Sequence, residues 1–107
     1  MIQRSEGYFR GYNDFELFYQ MWKSDDPRGS TIVTHGLGEH SEAYDRLANG
    51  LLPGPWSVYS WDLRGHGRSE GKRGTVREFD DFCEDLYLFA DFILRTREET
   101  GPMILLG

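Results

Sequence analysis

The chain has 107 residues with 38% hydrophobic and 15% aromatic content, enough for one small domain with a modest core and not the composition of a disordered segment. Twelve Lys and Arg oppose eighteen Asp and Glu, a formal net charge of −6, which argues against a nucleic-acid partner because phosphate binding relies on clustered cations. Cys83 is the single cysteine, so neither an internal disulfide nor a multi-cysteine metal site can form.

The aromatic-rich runs Tyr8 to Tyr12 and Phe15 to Trp22 flank Asn13-Asp14 and predict a β-hairpin that turns at the Asx pair. Asp25 to Gly29 reads as a loop. Thr31 to Thr34 and Ser57 to Trp61 are short β-branched or aromatic runs, each ending at a glycine cluster, and both are expected as strands. Between them, Tyr44, Leu47, Ala48 and Leu51 recur at helical spacing, with Ser41 as a possible cap and Pro53-Gly54-Pro55 as the stop. Strand, helix, strand is a parallel βαβ unit. A longer helix is expected from Phe79, Phe82, Cys83, Leu86, Phe89, Ala90, Ile93 and Leu94, with a solvated acidic face and Cys83 as a small buried hydrophobe. Gly101-Pro102 ends it before a last apolar strand, Met103 to Leu106.

The start, Met1 to Glu6, lacks the apolar region of a signal peptide, and no stretch reaches the length of a membrane span. A cytoplasmic protein is the simplest expectation.

Two motifs carry the chemistry. Thr34-His35-Gly36-Leu37-Gly38-Glu39-His40-Ser41 follows one strand, and Asp62-Leu63-Arg64-Gly65-His66-Gly67-Arg68-Ser69-Glu70-Gly71 follows the next. Both sit at the carboxyl ends of parallel strands, where open α/β sheets place their ligands.

In these two runs, intact from His35 to Tyr44 and from Asp62 to Gly74, the chain resembles the α/β-hydrolase-fold serine hydrolases that include monoacylglycerol lipases and lysophospholipases. The resemblance covers nearly the whole chain. It implies the amino-terminal portion, residues 1–107, of a single α/β-hydrolase domain: an antiparallel hairpin followed by parallel βαβ units and ending at the central strand, with the lid and carboxyl-terminal half absent. It implies a serine carboxylester hydrolase acting on a lipid ester, a monoacylglycerol or lysophospholipid, with no cofactor and with transient membrane-surface contact through the lid. By resemblance the backbone N–H of Leu37 is one oxyanion donor, Gly36 and Gly38 let the chain turn sharply, and His35 supports the loop. Gly107 would open the G-x-S-x-G nucleophile elbow. The nucleophilic serine and the triad Asp and His are therefore not expected in this chain, which alone should be inactive and should need the remainder of the enzyme to fold.

Gly67-Arg68-Ser69-Glu70-Gly71 also satisfies G-x-S-x-G, yet Ser69 lies well past its strand and begins no helix. His35, His40 and His66 all precede it, whereas the fold's triad runs Ser, acid, His along the chain. Asp62 is expected to cap the N–H groups of the loop it opens rather than to serve as the triad acid. The three histidines lack H-E-x-x-H spacing, so no metal site is expected.

Two alternatives remain at this level. A nucleotide-binding βαβ domain would use Gly36-x-Gly38 and Asp62, but Ser41 stands at the third glycine position. A P-loop fails because Lys72 is followed by Arg73. A truncated, non-catalytic binding module is the other alternative.

Overall fold

The aromatic-rich runs of the first 23 positions form an antiparallel pair in the computed structural model, which describes residues 3–23, 27–34, 56–71 and 79–106. Strand β1 (Gln3–Arg10) pairs with β2 (Glu16–Lys23) from Gln3 opposite Lys23 to Arg10 opposite Glu16. The connection is a short 3-10 turn, Tyr12–Asp14, in which Asn13 and Asp14 both take left-handed backbone angles, φ 59° and 62°. Asx residues tolerate that region best after glycine, so the turn forms at the pair the sequence marked.

Strands β3 (Gly29–Thr34), β4 (Trp56–Trp61) and β5 (Met103–Leu106) complete a five-stranded sheet in the order β1-β2-β4-β3-β5. The β2–β4 pair is antiparallel, while β4–β3 and β3–β5 are parallel. The two middle strands begin slightly earlier than predicted, at Gly29 and Trp56. The helix expected over Tyr44 to Leu51 lies outside the described residues, as do Ser41 and Pro53 to Pro55.

Helix α1 (Phe79–Thr96) packs across one face of the sheet, against Phe9, Leu17, Ile32, Tyr59, Trp61 and Leu63. Phe89 and Ile93 are fully buried, a contribution of about 1.5–3 kcal/mol each. Phe9 stacks on Phe89 with ring centroids 4.6 Å apart.

The helix forms where the sequence predicts, but its buried stripe is rotated. Cys83 and Leu94, both expected in the core, are exposed, whereas Phe92 packs on Phe9 and Tyr19. At 3.6 residues per turn, Cys83 and Leu94 lie roughly 120° and 140° from Phe89, too far round to reach the sheet. The acidic face is not wholly solvated either, because Asp85 is fully buried.

At the amino ends of the parallel strands, Glu99 Oε2 accepts from Ser30 Oγ (2.7 Å) and from the Tyr59 hydroxyl (2.8 Å), while Arg97 Nη1 donates to Ser30 Oγ at 2.7 Å. This ties the segment after α1 to β3 and β4. Gly101 then turns at φ 103°, where a Cβ would strike the Arg28 carbonyl, and the chain enters β5 at the sheet edge.

Candidate active site: the loops at the carboxyl ends of β3 and β4

Parallel pairing of β3 with β4 ends with Thr34 opposite Trp61. The ends of the two strands that carry the motifs therefore lie side by side, Thr34 next to Trp61. His35, Gly36, Leu37, Gly38, His40 and Tyr44 lie outside the described residues, as do Lys72 to Gly74. Thr34, which leads into the first loop, accepts a hydrogen bond on Oγ1 from the buried indole N–H of Trp61 at 3.1 Å.

The second loop is described from Asp62 to Gly71, and hydrogen bonds hold it from within. Asp62 Oδ2 accepts from the Arg68 N–H at 2.9 Å, the Asx role expected from its position. The loop's turns close through His66 N–H to Leu63 O (2.9 Å), Ser69 N–H to His66 O (3.0 Å) and Gly65 N–H to Glu70 O (3.0 Å). Gly71 sits at φ 126° with its Cβ position 2.7 Å from Gly65 N, so a side chain there would have no room.

Ser69 is buried, and its hydroxyl is committed on both sides. It donates to the Asp62 carbonyl at 2.5 Å and accepts from the Phe18 N–H at 2.8 Å. With Asp62 N–H donating to Phe18 O at 2.9 Å, Ser69 pins the loop to β2. The His66 ring is also buried and hydrogen-bonds Arg64 O through Nδ1 at 2.9 Å. Since a carbonyl only accepts, the proton is on Nδ1. Ser69 is thus a structural residue of this loop, despite its match to the elbow pattern.

Sequence reasoning missed the charge that anchors the loop. Arg64 reaches back under it to Asp85 of α1, with Nε to Oδ2 at 2.7 Å and Nη2 to Oδ1 at 2.9 Å. Nη2 also donates to Tyr12 O at 2.9 Å, and Asp85 Oδ1 accepts from Tyr12 N–H at 2.8 Å. The guanidinium lies 4.3 Å over the Phe15 ring. Its hydrogen bonds to Asp85 hold the guanidinium pKa above its usual range. One signal was available: Asp85 stands four residues before Phe89, so a helix that buries Phe89 also turns Asp85 inward. Gly11 makes room for this cluster, since a Cβ there would come within 2.6 Å of Asp85 Oδ1.

This arrangement, two adjacent parallel strands beside an antiparallel hairpin, is found in known proteins. The family profile described as Serine aminopeptidase, S33 (Hydrolase_4) matches residues 25–107. The chain belongs to that family. Among curated relatives, the monoacylglycerol lipase of Mycolicibacterium smegmatis is 38% identical over 105 residues, which covers 97% of this chain and 37% of that protein. The monoglyceride lipase of Mus musculus is 39% identical over 92 residues, covering 85% of this chain and 30% of that protein. The chain therefore spans about a third of the length of these relatives. An esterase of Pyrococcus furiosus superposes with a TM-score of 0.82 at 19% identity, over 97% of this chain and 41% of its own. The fold is that of the amino-terminal part of an α/β hydrolase, and the S33 family is one of hydrolases.

Proposed function

We propose that residues 1–107 are the amino-terminal portion of a single α/β-hydrolase domain whose complete form hydrolyses lipid esters, of the monoacylglycerol or lysophospholipid class, through a serine acyl-enzyme. In that reaction the serine Oγ adds to the ester carbonyl, the bond to the alcohol breaks as the leaving oxygen takes a proton, and water then releases the fatty acid. No step calls for a cofactor. This chain contributes the loop after β3, where the Leu37 N–H is one oxyanion donor and His35 and Gly36 shape the turn. The nucleophile and the triad Asp and His come from downstream sequence.

The observation that supports this best is the Thr34–Trp61 register, which brings the ends of both motif-bearing strands to the same end of the sheet. The likeness to a monoacylglycerol lipase and a monoglyceride lipase supports the monoacylglycerol part of this reading. Among the described residues no helix is long and apolar enough to cross a membrane. Access to a lipid substrate is accordingly proposed to occur at the membrane surface, through a lid in the downstream sequence.

Fluorophosphonate labelling of the complete protein, followed by peptide mapping, tests the reading. The expected label falls on a serine downstream of Gly107, in a protein that hydrolyses monoacylglycerol. A label on Ser69 would overturn the assignment of the nucleophile. Release of an aminoacyl anilide with no action on esters would overturn the substrate class.

A further inference from the structure

We propose that Trp61 is a positioning residue for the oxyanion loop, acting through Thr34. The inference rests on the reading of Leu37 as a donor and concerns what holds the base of its loop. Among the described residues, Thr34 and Trp61 are the last matched pair of the β3–β4 ladder, and Thr34 is the residue from which the proposed oxyanion segment continues. A side-chain bond ties the pair as well, Trp61 Nε1–H to Thr34 Oγ1 at 3.1 Å.

The donor is held firmly. Trp61 is fully buried, with its ring centroid 6.1 Å from that of Phe9 and 5.9 Å from that of Phe89, in the cluster that joins α1 to the sheet. The acceptor is on a β-branched residue whose χ1 is already restricted, so fixing Oγ1 also fixes the backbone to which it is attached. Leu37 follows three residues later in the chain. An oxyanion donor works only within a few tenths of an ångström of its proper place, and a displaced loop base would carry the Leu37 N–H away from the developing charge.

The test is a double-mutant cycle in the complete enzyme, with kcat and KM measured on a p-nitrophenyl ester and the inhibition constant of a trifluoromethyl ketone measured alongside. Trp61→Phe removes the N–H but keeps an aromatic ring in the core, and Thr34→Val keeps the shape and removes the acceptor. Each should lower kcat by roughly 10-fold and leave KM nearly unchanged, a smaller loss than the ~10²–10³ of deleting a donor outright. The double variant should be no worse than either single one, and inhibition by the ketone should weaken by the same factor as kcat. Thr34→Ser, which retains Oγ, should restore the rate. Losses that multiply in the double variant, or a Thr34→Ser enzyme as slow as Thr34→Val, would overturn the proposal. Because Thr34→Val and Thr34→Ser differ chiefly in the acceptor at a partly exposed strand end, that comparison stands even if Trp61→Phe fails to fold. Leu37→Pro separates this proposal from the reading beneath it. If Leu37→Pro leaves kcat intact, the donor assignment is wrong. If it abolishes turnover while Trp61→Phe and Thr34→Val match the parent enzyme, the positioning role alone is wrong.

Discussion

Arg64 and Asp85, 21 positions apart, form a two-point ion pair inside the protein, Nε to Oδ2 at 2.7 Å and Nη2 to Oδ1 at 2.9 Å. The pair joins three elements. Arg64 belongs to the loop after β4, Asp85 to α1, and both bond the backbone of Tyr12 in the hairpin turn. The loop that borders the proposed oxyanion site is thereby fastened to the helix and to the far end of the first hairpin.

Removing one partner should be far worse than removing both. Asp85→Ala would leave the buried guanidinium with only the weaker ion pair to Asp81, 3.9 Å away, and the Tyr12 N–H without its acceptor, a loss of about 3–5 kcal/mol. Arg64→Met combined with Asp85→Leu should lose less than Asp85→Ala alone, because the buried guanidinium leaves together with its main partner and only Asp81, which still reaches solvent, loses an ion pair. Urea unfolding of the complete protein with the three variants checks the order, and a double variant less stable than the single one would contradict it.

Ser69→Ala should weaken the fold without disabling the chemistry. The substitution leaves the buried Phe18 N–H unpaired, which costs on the order of 1–3 kcal/mol, so the melting temperature should fall. Fluorophosphonate labelling of the complete protein should persist at temperatures where the variant is folded. Loss of the label in a folded variant would restore Ser69 as the nucleophile.

Stability should decline above about pH 10. Burial raises the Tyr59 pKa above its ordinary value of 10.0, and the hydrogen bond to Glu99 raises it further, while burial also raises that of Tyr19. Above pH 10 the unfolded phenols lose their protons while the folded ones keep them, so the unfolded state binds fewer protons and rising pH favours it. The stabilisation is complete below that pH and is lost progressively above it. Tyr59→Phe should flatten the alkaline limb of a melting-temperature profile, though at the expense of the Glu99 contact; an unchanged limb would assign the effect to other groups.

The 107-residue chain by itself should self-associate and lack esterase activity. Among the described residues β5 is the last strand of the sheet, with Ile104 41% and Leu105 55% exposed, an apolar edge of the kind that recruits other strands. Light scattering on the isolated chain should show oligomers, reduced by Leu105→Lys. A monomer with a cooperative melt would count against the remainder of the domain being required for folding.

Local signals determined much of this architecture. Aromatic and β-branched runs marked the strands, the Asn13-Asp14 pair marked the turn whose left-handed angles Asx residues tolerate, and the acidic-start helix was legible from its spacing. The two glycine motifs pointed to the sheet end where the loops emerge, and Asp62 was legible as a cap because its partner, Arg68, is only six residues away. What the tertiary structure alone decided are the relations across long separations. Insertion of β4 between β2 and β3 sets Trp61 beside Thr34, and no local pattern encodes which strands become neighbours. The rotation of α1 about its axis was decided by how Phe89 and Phe92 settle onto Phe9 and Tyr19. That rotation buried Asp85 and exposed Cys83, because an angular error of one residue on a helix, about 100°, exchanges a core position for a surface one.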